Sequence, residues 1–349
     1  MDGSVRRRFT RLPRCSGGCW LLMLTLALPL FLLGASLYGP APISLQDAWH
    51  ILSDPGAVNA SGNTEVYQRI IWSLRMPRAL LAAVAGAGLA LAGTLLQSLT
   101  RNPLADPWVL GISSGAGVGA VLVLVLGIGG GLLSVPGGAF IGAAGAFALV
   151  LLLAGRSLHA ESSLFILAGV AVTQLLSALT SLITLWQADA NATRGVMFWL
   201  LGSFSDARWP QVGLITLLLV AALLICWMRA GELDALAFGG LTAASLGVAV
   251  VPLTLLLYVT TMALTAVIVA FSGAVGFIGL TVPHVARLLV GPRHRLLLPA
   301  SALCGALFAV AADTLARTLF APRELPVGVL TALLGVPVFL ALLYRKINA

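Results

Sequence analysis

The chain has 349 residues, of which 59% are hydrophobic and only 9% charged, against roughly 25% charged in an ordinary soluble domain. That excludes a water-soluble globule and points to an all-α membrane protein, a polytopic bundle of transmembrane helices. The net charge of +8 comes from nineteen arginines and one lysine, Lys346, against twelve acids; in a membrane protein such an excess reports orientation rather than nucleic-acid binding.

Residues 1–19 read as a basic tail. Arg6-Arg7-Arg8-Phe9 before the apolar run from Trp20 also has the form of a twin-arginine export signal, but the many apolar runs that follow favour the tail. Apolar runs bounded by Gly, Pro or charge fall at 20–38, 78–99, 109–127, 136–154, 164–186, 210–228, 248–271, 275–290, 297–319 and 325–344. A helix that crosses the bilayer takes about 20 apolar residues, so these are ten predicted spans in one membrane domain, 20–345. The run at 275–290 is the weakest, being short and interrupted by Pro283, His284 and Arg287; without it the C-terminus changes sides.

With the N-terminus in the cytoplasm, thirteen of the twenty basic residues lie inside, among them Arg101, Arg156, Arg229, Arg287, Arg293, Arg295, Arg345 and Lys346. The acids divide five inside to seven outside, which supports this topology by the positive-inside rule. Both termini, including 346–349, are then cytoplasmic, 39–76 is an outer segment and 231–247 an inner loop. Glycine is abundant inside the spans, as in Ala82-x-x-x-Gly86-x-x-x-Ala90 and Gly138-x-x-x-Gly142. Small residues at that spacing let helix backbones approach closely where lipid supplies no hydrophobic drive.

The chemistry available is sparse. Cys15, Cys19, Cys226 and Cys304 are scattered and read as small hydrophobes rather than a disulfide or metal set. His159, His284 and Met197 form no haem or metal ligand set. A P-loop needs Gly-Lys-Ser/Thr, and the one lysine, Lys346, is followed by Ile347, so the chain carries no ATPase motif. An ion-coupled secondary carrier holds carboxylates or histidines at membrane depth; here the one carboxylate in the spans is Asp313, four residues before Arg317 and placed to pair with it. The sequence shows no Ser/His/Asp, Cys/His or HExxH pattern, which argues against a membrane enzyme. What remains is a conduit whose energy comes from elsewhere.

Two segments stand out. Thr100-Arg101-Asn102-Pro103-Leu104-Ala105-Asp106-Pro107 places two prolines where a helix cannot continue, either an ordinary tight turn or a constriction on the inner side of a pathway. Arg75, Arg78, Arg317 and Arg323 lie on the outer face, against the orientation rule. They either snorkel to lipid phosphates or form a basic rim that docks an acidic partner.

Arg75-Met76-Pro77-Arg78, the Ala-Gly-rich helix ending Leu96-Gln97, Arg101-Asn102-Pro103-Leu104-Ala105-Asp106-Pro107 and Leu110-Gly111-Ile112-Ser113-Ser114-Gly115-Ala116 resemble the signature of FecCD-type permeases. Further matches are Leu167 to Ala171, Gly276-Phe277-Ile278-Gly279-Leu280-Thr281-Val282-Pro283-His284-Val285-Ala286-Arg287, His294-Arg295 to Pro299, Ala312-Asp313 to Arg317, and Glu324-Leu325-Pro326-Val327-Gly328. These permeases are the membrane subunits of bacterial ABC importers for iron-siderophores, haem and vitamin B12. The resemblance implies a multi-pass protein of the cytoplasmic (inner) membrane with no catalytic residues, metal or cofactor of its own. Its partners are a second permease subunit, in a homodimer or heterodimer, two cytoplasmic ATPases that bind ATP and magnesium, and an external or lipid-anchored binding protein. An iron-siderophore is the first expectation for the substrate, with haem or vitamin B12 as alternatives.

Carried over by position, Arg75, Arg78 and Arg317 match arginines that meet the binding protein. Asn102 and Leu104 match the inner gate, and Ser162 and Ser163 fall at a second gate. Leu236, Phe238, Gly239, Ala243, Leu246 and Gly247 match the loop that couples to the ATPase, but Gly240 stands where an acid is usual and Ala244 where a base is common. Gln97, Ser98, Ser113 and Ser114 are expected to line a pathway wall of small uncharged groups.

Overall fold

The computed structural model describes residues 16–39, 43, 44, 46, 51, 63–154, 162–187 and 189–347. Most of the basic tail, much of the outer segment between 40 and 62, the stretch 155–161 with Arg156 and His159, and residues 348–349 lie outside the described residues. Among the described residues the regular structure is helical, with no strand.

The first span is α1 (Gly17–Leu37), opened by Ser16, whose hydroxyl accepts the Cys19 N–H. A short α2 (Asn63–Arg69) runs through a π-helical turn (Ile70–Arg75) into α3 (Met76–Thr100). There follow α4 (Ile112–Leu124), α5 (Val135–Ala154), α6 (Ser162–Gln187), α7 (Ala190–Leu201) and α8 (Trp209–Met228). The short helices α9 (Ala230–Leu236) and α10 (Gly240–Ser245) precede α11 (Val250–Ser272), α12 (Ile278–Val290), α13 (His294–Thr318) and α14 (Val327–Ile347). Ten of these coincide with the ten predicted spans. Seven are long and apolar enough to cross a bilayer by themselves, while α4, α12 and the apolar part of α14 are shorter.

Helix α7 has no counterpart in the sequence reading, because Asn191, Thr193 and Arg194 interrupt its apolar pattern. The Asp189 carboxylate starts it by accepting the Ala192 N–H at 2.7 Å. At 1.5 Å per residue its 12 residues extend about 18 Å, well short of the ~30 Å hydrocarbon core.

Helices α4 and α12, 13 residues each, follow segments that are not α-helical. These regions pack together: Gly276 lies against the Trp108 ring, and Gly279 in the first turn of α12 against Pro107 and Asp106. Irregular backbone within a membrane protein survives where other protein covers it, which explains why 275–290 is the least regular of the predicted spans.

The core is built on α3, which packs on α8, α11, α12 and α13. Within its most apolar stretch 89% of residues are buried, against 11% for α1 at the periphery. Glycine makes this depth attainable. A Cβ on Gly86 would stand 2.2 Å from the Gly305 carbonyl oxygen of α13, and one on Gly93 would stand 2.0 Å from the Gly279 oxygen of α12. The Gly138-x-x-x-Gly142 edge of α5 meets Gly119 and Gly115 of α4 in the same way.

The membrane boundaries are marked on α8. Trp209 and Trp227 lie 18 positions apart, about 27 Å at the helical rise and close to the thickness of the hydrocarbon. Trp209 donates to the Trp72 carbonyl at 2.9 Å, and Trp227 donates to the Arg295 carbonyl at 3.1 Å while the Arg295 guanidinium lies 5.1 Å from its ring centre. Indole rings with one wet edge belong at such interfaces.

Candidate functional site

The three arginines expected as an exposed rim sit inside the protein at the N-terminal end of α3 and the C-terminal end of α13. Arg75, Arg78 and Arg317 are 5%, 9% and 3% exposed, because each guanidinium is drawn to acceptors of its own chain. Arg78 Nε meets the two Asp313 carboxylate oxygens at 3.0 and 3.1 Å, and its Nη1 meets both Glu324 oxygens at 2.9 and 3.1 Å. Arg317 Nε lies 3.7 Å from Asp313, and its Nη2 donates to the Ala35 carbonyl of α1. Arg75 donates to the Ser36 and Leu37 carbonyls at 3.1 and 2.9 Å.

Asp313 and Arg317 thus pair along one helix face as the spacing predicts, but the tighter partner of Asp313 is Arg78, 235 residues away in sequence. Two guanidiniums, Arg78 and Arg317, share Asp313, and Arg78 also holds Glu324. Of the two carboxylates, Asp313 is buried and Glu324 is 40% exposed.

At the opposite end of α3 the chain turns through the proline-rich segment. Arg101 takes a left-handed conformation (φ 50°) that stops the helix. The Asn102 carboxamide oxygen accepts the Leu104 N–H at 2.9 Å, and the Asn102 carbonyl accepts the Ala105 N–H at 3.1 Å. Leu104 is left half-exposed at the tip. Asp106 then caps the short 3-10 turn Pro107–Leu110, accepting the Trp108 N–H at 2.9 Å. Both polar side chains close local turns on the backbone, so the segment is a preformed hook.

Burial pushes the Asp106 carboxyl up to about 6, the bond from Trp108 N–H opposing the shift. A raised carboxyl favours the folded state when protonated, so its contribution is present at acid pH and is lost as pH rises through about 6. Asp106→Asn keeps the cap without the charge, and at pH 7.5 it is expected to gain about 1 kcal/mol over the parent. Thermal unfolding in detergent at pH 4 and pH 7.5 checks this; an advantage equally large at both pH values excludes the charge as its cause.

Ser162 and Ser163 open α6; their side chains lie outside the described residues. The proposed wall divides. Ser113 is buried beside Asp106 and Trp108 around a small cavity, and Ser114 is half-buried, 3.1 Å from the Ser177 hydroxyl.

Gln97 and Ser98 do not face a pathway of this protomer: both are buried among α3, α12 and α13. Gln97 donates to the Gly279 and Leu280 carbonyls at 3.1 and 3.2 Å and accepts from Arg287 at 2.6 Å. It satisfies carbonyls in the first turn of α12, a job that only the tertiary contact creates.

Ser98 belongs to a second arrangement that the sequence concealed. Its hydroxyl lies 2.6 Å from His294 Nε2, and His294 Nδ1 lies 2.6 Å from the Asp234 carboxylate. A Ser/His/Asp series therefore does exist, assembled from α3, α13 and α9. It does not serve hydrolysis, because Ser98 is 9% exposed with its hydroxyl 2.8 Å from the Thr94 carbonyl of its own helix, leaving a substrate carbonyl no approach.

The loop 231–247 forms two short helices on buried anchors with an apolar exposed surface. Leu233, Leu236 and Ala243 are buried, whereas Phe238, Leu241 and Leu246 are 76%, 92% and 66% exposed. Gly239 (φ 106°) and Gly247 (φ 84°) turn the chain on either side of α10 with dihedrals that other residues rarely adopt. Leu241, the most exposed of the three, was missed by motif matching; its apolar character between turn glycines was the available signal.

A family model described as the FecCD transport family matches residues 24–345 of the chain. The chain is 42% identical over 291 residues to the cobalamin import system permease protein BtuC of Halobacterium salinarum, covering 82% of this chain and 77% of that one. It is 39% identical over 356 residues to the hemin transport system permease protein HmuU of Yersinia pestis, covering 99% and 98%. A solved structure described as a metal-chelate type ABC transporter in an inward-facing conformation superposes with a TM-score of 0.82 at 32% identity, over 93% of this chain and 98% of that one.

Proposed function

Because this chain belongs to the FecCD transport family and is a permease of an ABC importer, we propose that it forms the gated passage for a metal chelate, driven by ATP hydrolysed on separate subunits. The observation that carries this reading is the inner loop, whose exposed Phe238, Leu241 and Leu246 stand on a buried base. An apolar knob of this kind on the cytoplasmic side suits a cleft in a partner protein, and the cytoplasmic ATPase is that partner. The passage lies between two permease subunits in the inner membrane, with both termini cytoplasmic.

On the outer face an acidic lobe of a binding protein docks over Arg78, with Arg75 and Arg317 behind it. Glu324, the exposed carboxylate on Arg78, is the one an incoming glutamate replaces. Docking releases the ligand between the subunits. Movement of the inner loop then alternates the openings at Asn102 and Leu104 and at Ser162 and Ser163.

The cargo proposed is an iron-siderophore. A tetrapyrrole chelate is the second reading, favoured by the relatives named for cobalamin and hemin. Uptake by cells carrying the whole system, offered a ferric siderophore, hemin and cobalamin in parallel, separates the two. Changing Phe238, Leu241 and Leu246 together to serine is expected to lower co-purification of the ATPase by at least about tenfold, the loss of ~1.4 kcal/mol or more of interface energy. Unchanged co-purification excludes this loop as the ATPase contact.

A further inference from the structure

We propose that Asp234, His294 and Ser98 are a hydrogen-bonded linkage that carries displacement of the ATPase-facing loop to the gate turn at Asn102 and Leu104. The inference rests on the reading of the chain as an ATP-driven permease and names the side chains through which that drive passes.

The path is continuous. Asp234 lies on α9, four residues before the exposed Phe238, and its carboxylate accepts twice from His294: from the backbone N–H at 3.0 Å and from Nδ1 at 2.6 Å. His294 begins α13, and its other nitrogen reaches Ser98 on α3. Two residues later the Thr100 hydroxyl accepts the Asn102 N–H at 3.3 Å, and the Asn102 carboxamide oxygen accepts the Leu104 N–H. A second contact runs alongside, Gly239 of the loop lying against the Arg101 guanidinium. Loop, span and gate are therefore joined by directional bonds, whereas apolar packing alone permits them to slide.

The protons define two forms of the linkage. Facing a carboxylate, His294 Nδ1 is a donor. Ser98 has one hydroxyl proton and two acceptors in range, His294 Nε2 and the Thr94 carbonyl. When it serves Nε2 the ring is neutral; when it serves Thr94, Nε2 donates and the ring is an imidazolium between Ser98 and Asp234. In both forms the bonds to Ser98 and Asp234 are kept. His294 is thus a positioning residue, its role being to hold α3 to α9.

The test uses the complete complex with its ATPase, with Leu104→Cys as reporter. The maleimide labelling rate at that cysteine is compared before and after trapping with ATP and vanadate, normalised to trapped nucleotide. Trapping is expected to change the rate in the parent by about fivefold or more, the range of an ordinary two-site coupling. Asp234→Ala, His294→Ala and Ser98→Ala should each shrink that change to under about twofold, and Asp234→Ala/His294→Ala should be no worse than either single, since one chain is broken once.

A full nucleotide response in the variants overturns the linkage and leaves a merely structural cluster; so does a double variant whose losses multiply. Where His294→Ala fails to assemble, Ser98→Ala, which removes one oxygen from an intact helix, decides alone. If the parent complex shows no nucleotide response, the ATP-driven reading itself fails.

Discussion

Arg78→Ala is expected to cost about 3–5 kcal/mol of folding stability, the penalty for stranding a buried carboxylate without its partner. The stranded group is Asp313, 1% exposed, which among the described residues would keep only Arg317 at 3.7 Å. Glu324, half in solvent, would lose less. Unfolding of the purified protein in denaturant is the measurement, and loss below about 1 kcal/mol would mean that Asp313 is satisfied some other way.

Arg78→Met combined with Asp313→Leu removes both charges, and part of the stability should return, because a buried pair is replaceable by apolar side chains of similar volume, while the buried Arg317 loses its carboxylate and keeps the Ala35 carbonyl. That double variant also separates the two roles of Arg78. If the arginine docks an acidic partner as proposed, the recovered fold will still bind the binding protein at least about tenfold more weakly, through the loss of a charge-assisted contact. Restored stability with undiminished docking would assign Arg78 to the fold alone.

The second large effect is expected at the glycines of α3. Gly93→Val sets a branched side chain where even a Cβ would stand 2.0 Å from the Gly279 oxygen and 2.5 Å from its Cα. These are backbone atoms of α12 and have no rotamer to give way. Overpacking of ordinary cores costs about 1–3 kcal/mol; here the helices must separate, so loss of the folded protein from the membrane is the expected result. Gly145→Val is the control, since a Cβ there meets nothing within 4 Å, and it should accumulate normally. Equal yields from the two variants in membrane fractions would show that α3 and α12 are not held at this distance.

The ten apolar helices were legible along the chain because each satisfies its own backbone hydrogen bonds within an apolar run, a property that needs no neighbour. The small-residue stripes on α3 and α5 were legible as well, since close helix approach without a hydrophobic drive leaves few other compositions. So was the family, carried by long motifs in fixed order. Two local features escaped. Helix α7 was hidden by polar residues in its first turns, and the half-length α12 read as a weak full span because 273–277 is apolar although it is not helical.

The roles of individual polar residues followed a different rule. Arg75, Arg78 and Arg317 look like an exposed basic rim on the chain, and the fold turns them inward onto Asp313, Glu324 and the carbonyls of α1. Gln97 and Ser98 look like wall residues, and the fold gives them carbonyls of α12 and a histidine of α13 instead. The sequence by itself determined where the helices lie and which faces can touch, because hydrophobicity and side-chain size act locally along a helix. Only the tertiary structure decided which charged and hydrogen-bonding groups meet, for in a low-dielectric interior each must find a partner, and the partners of Arg78 and Ser98 lie about two hundred residues away.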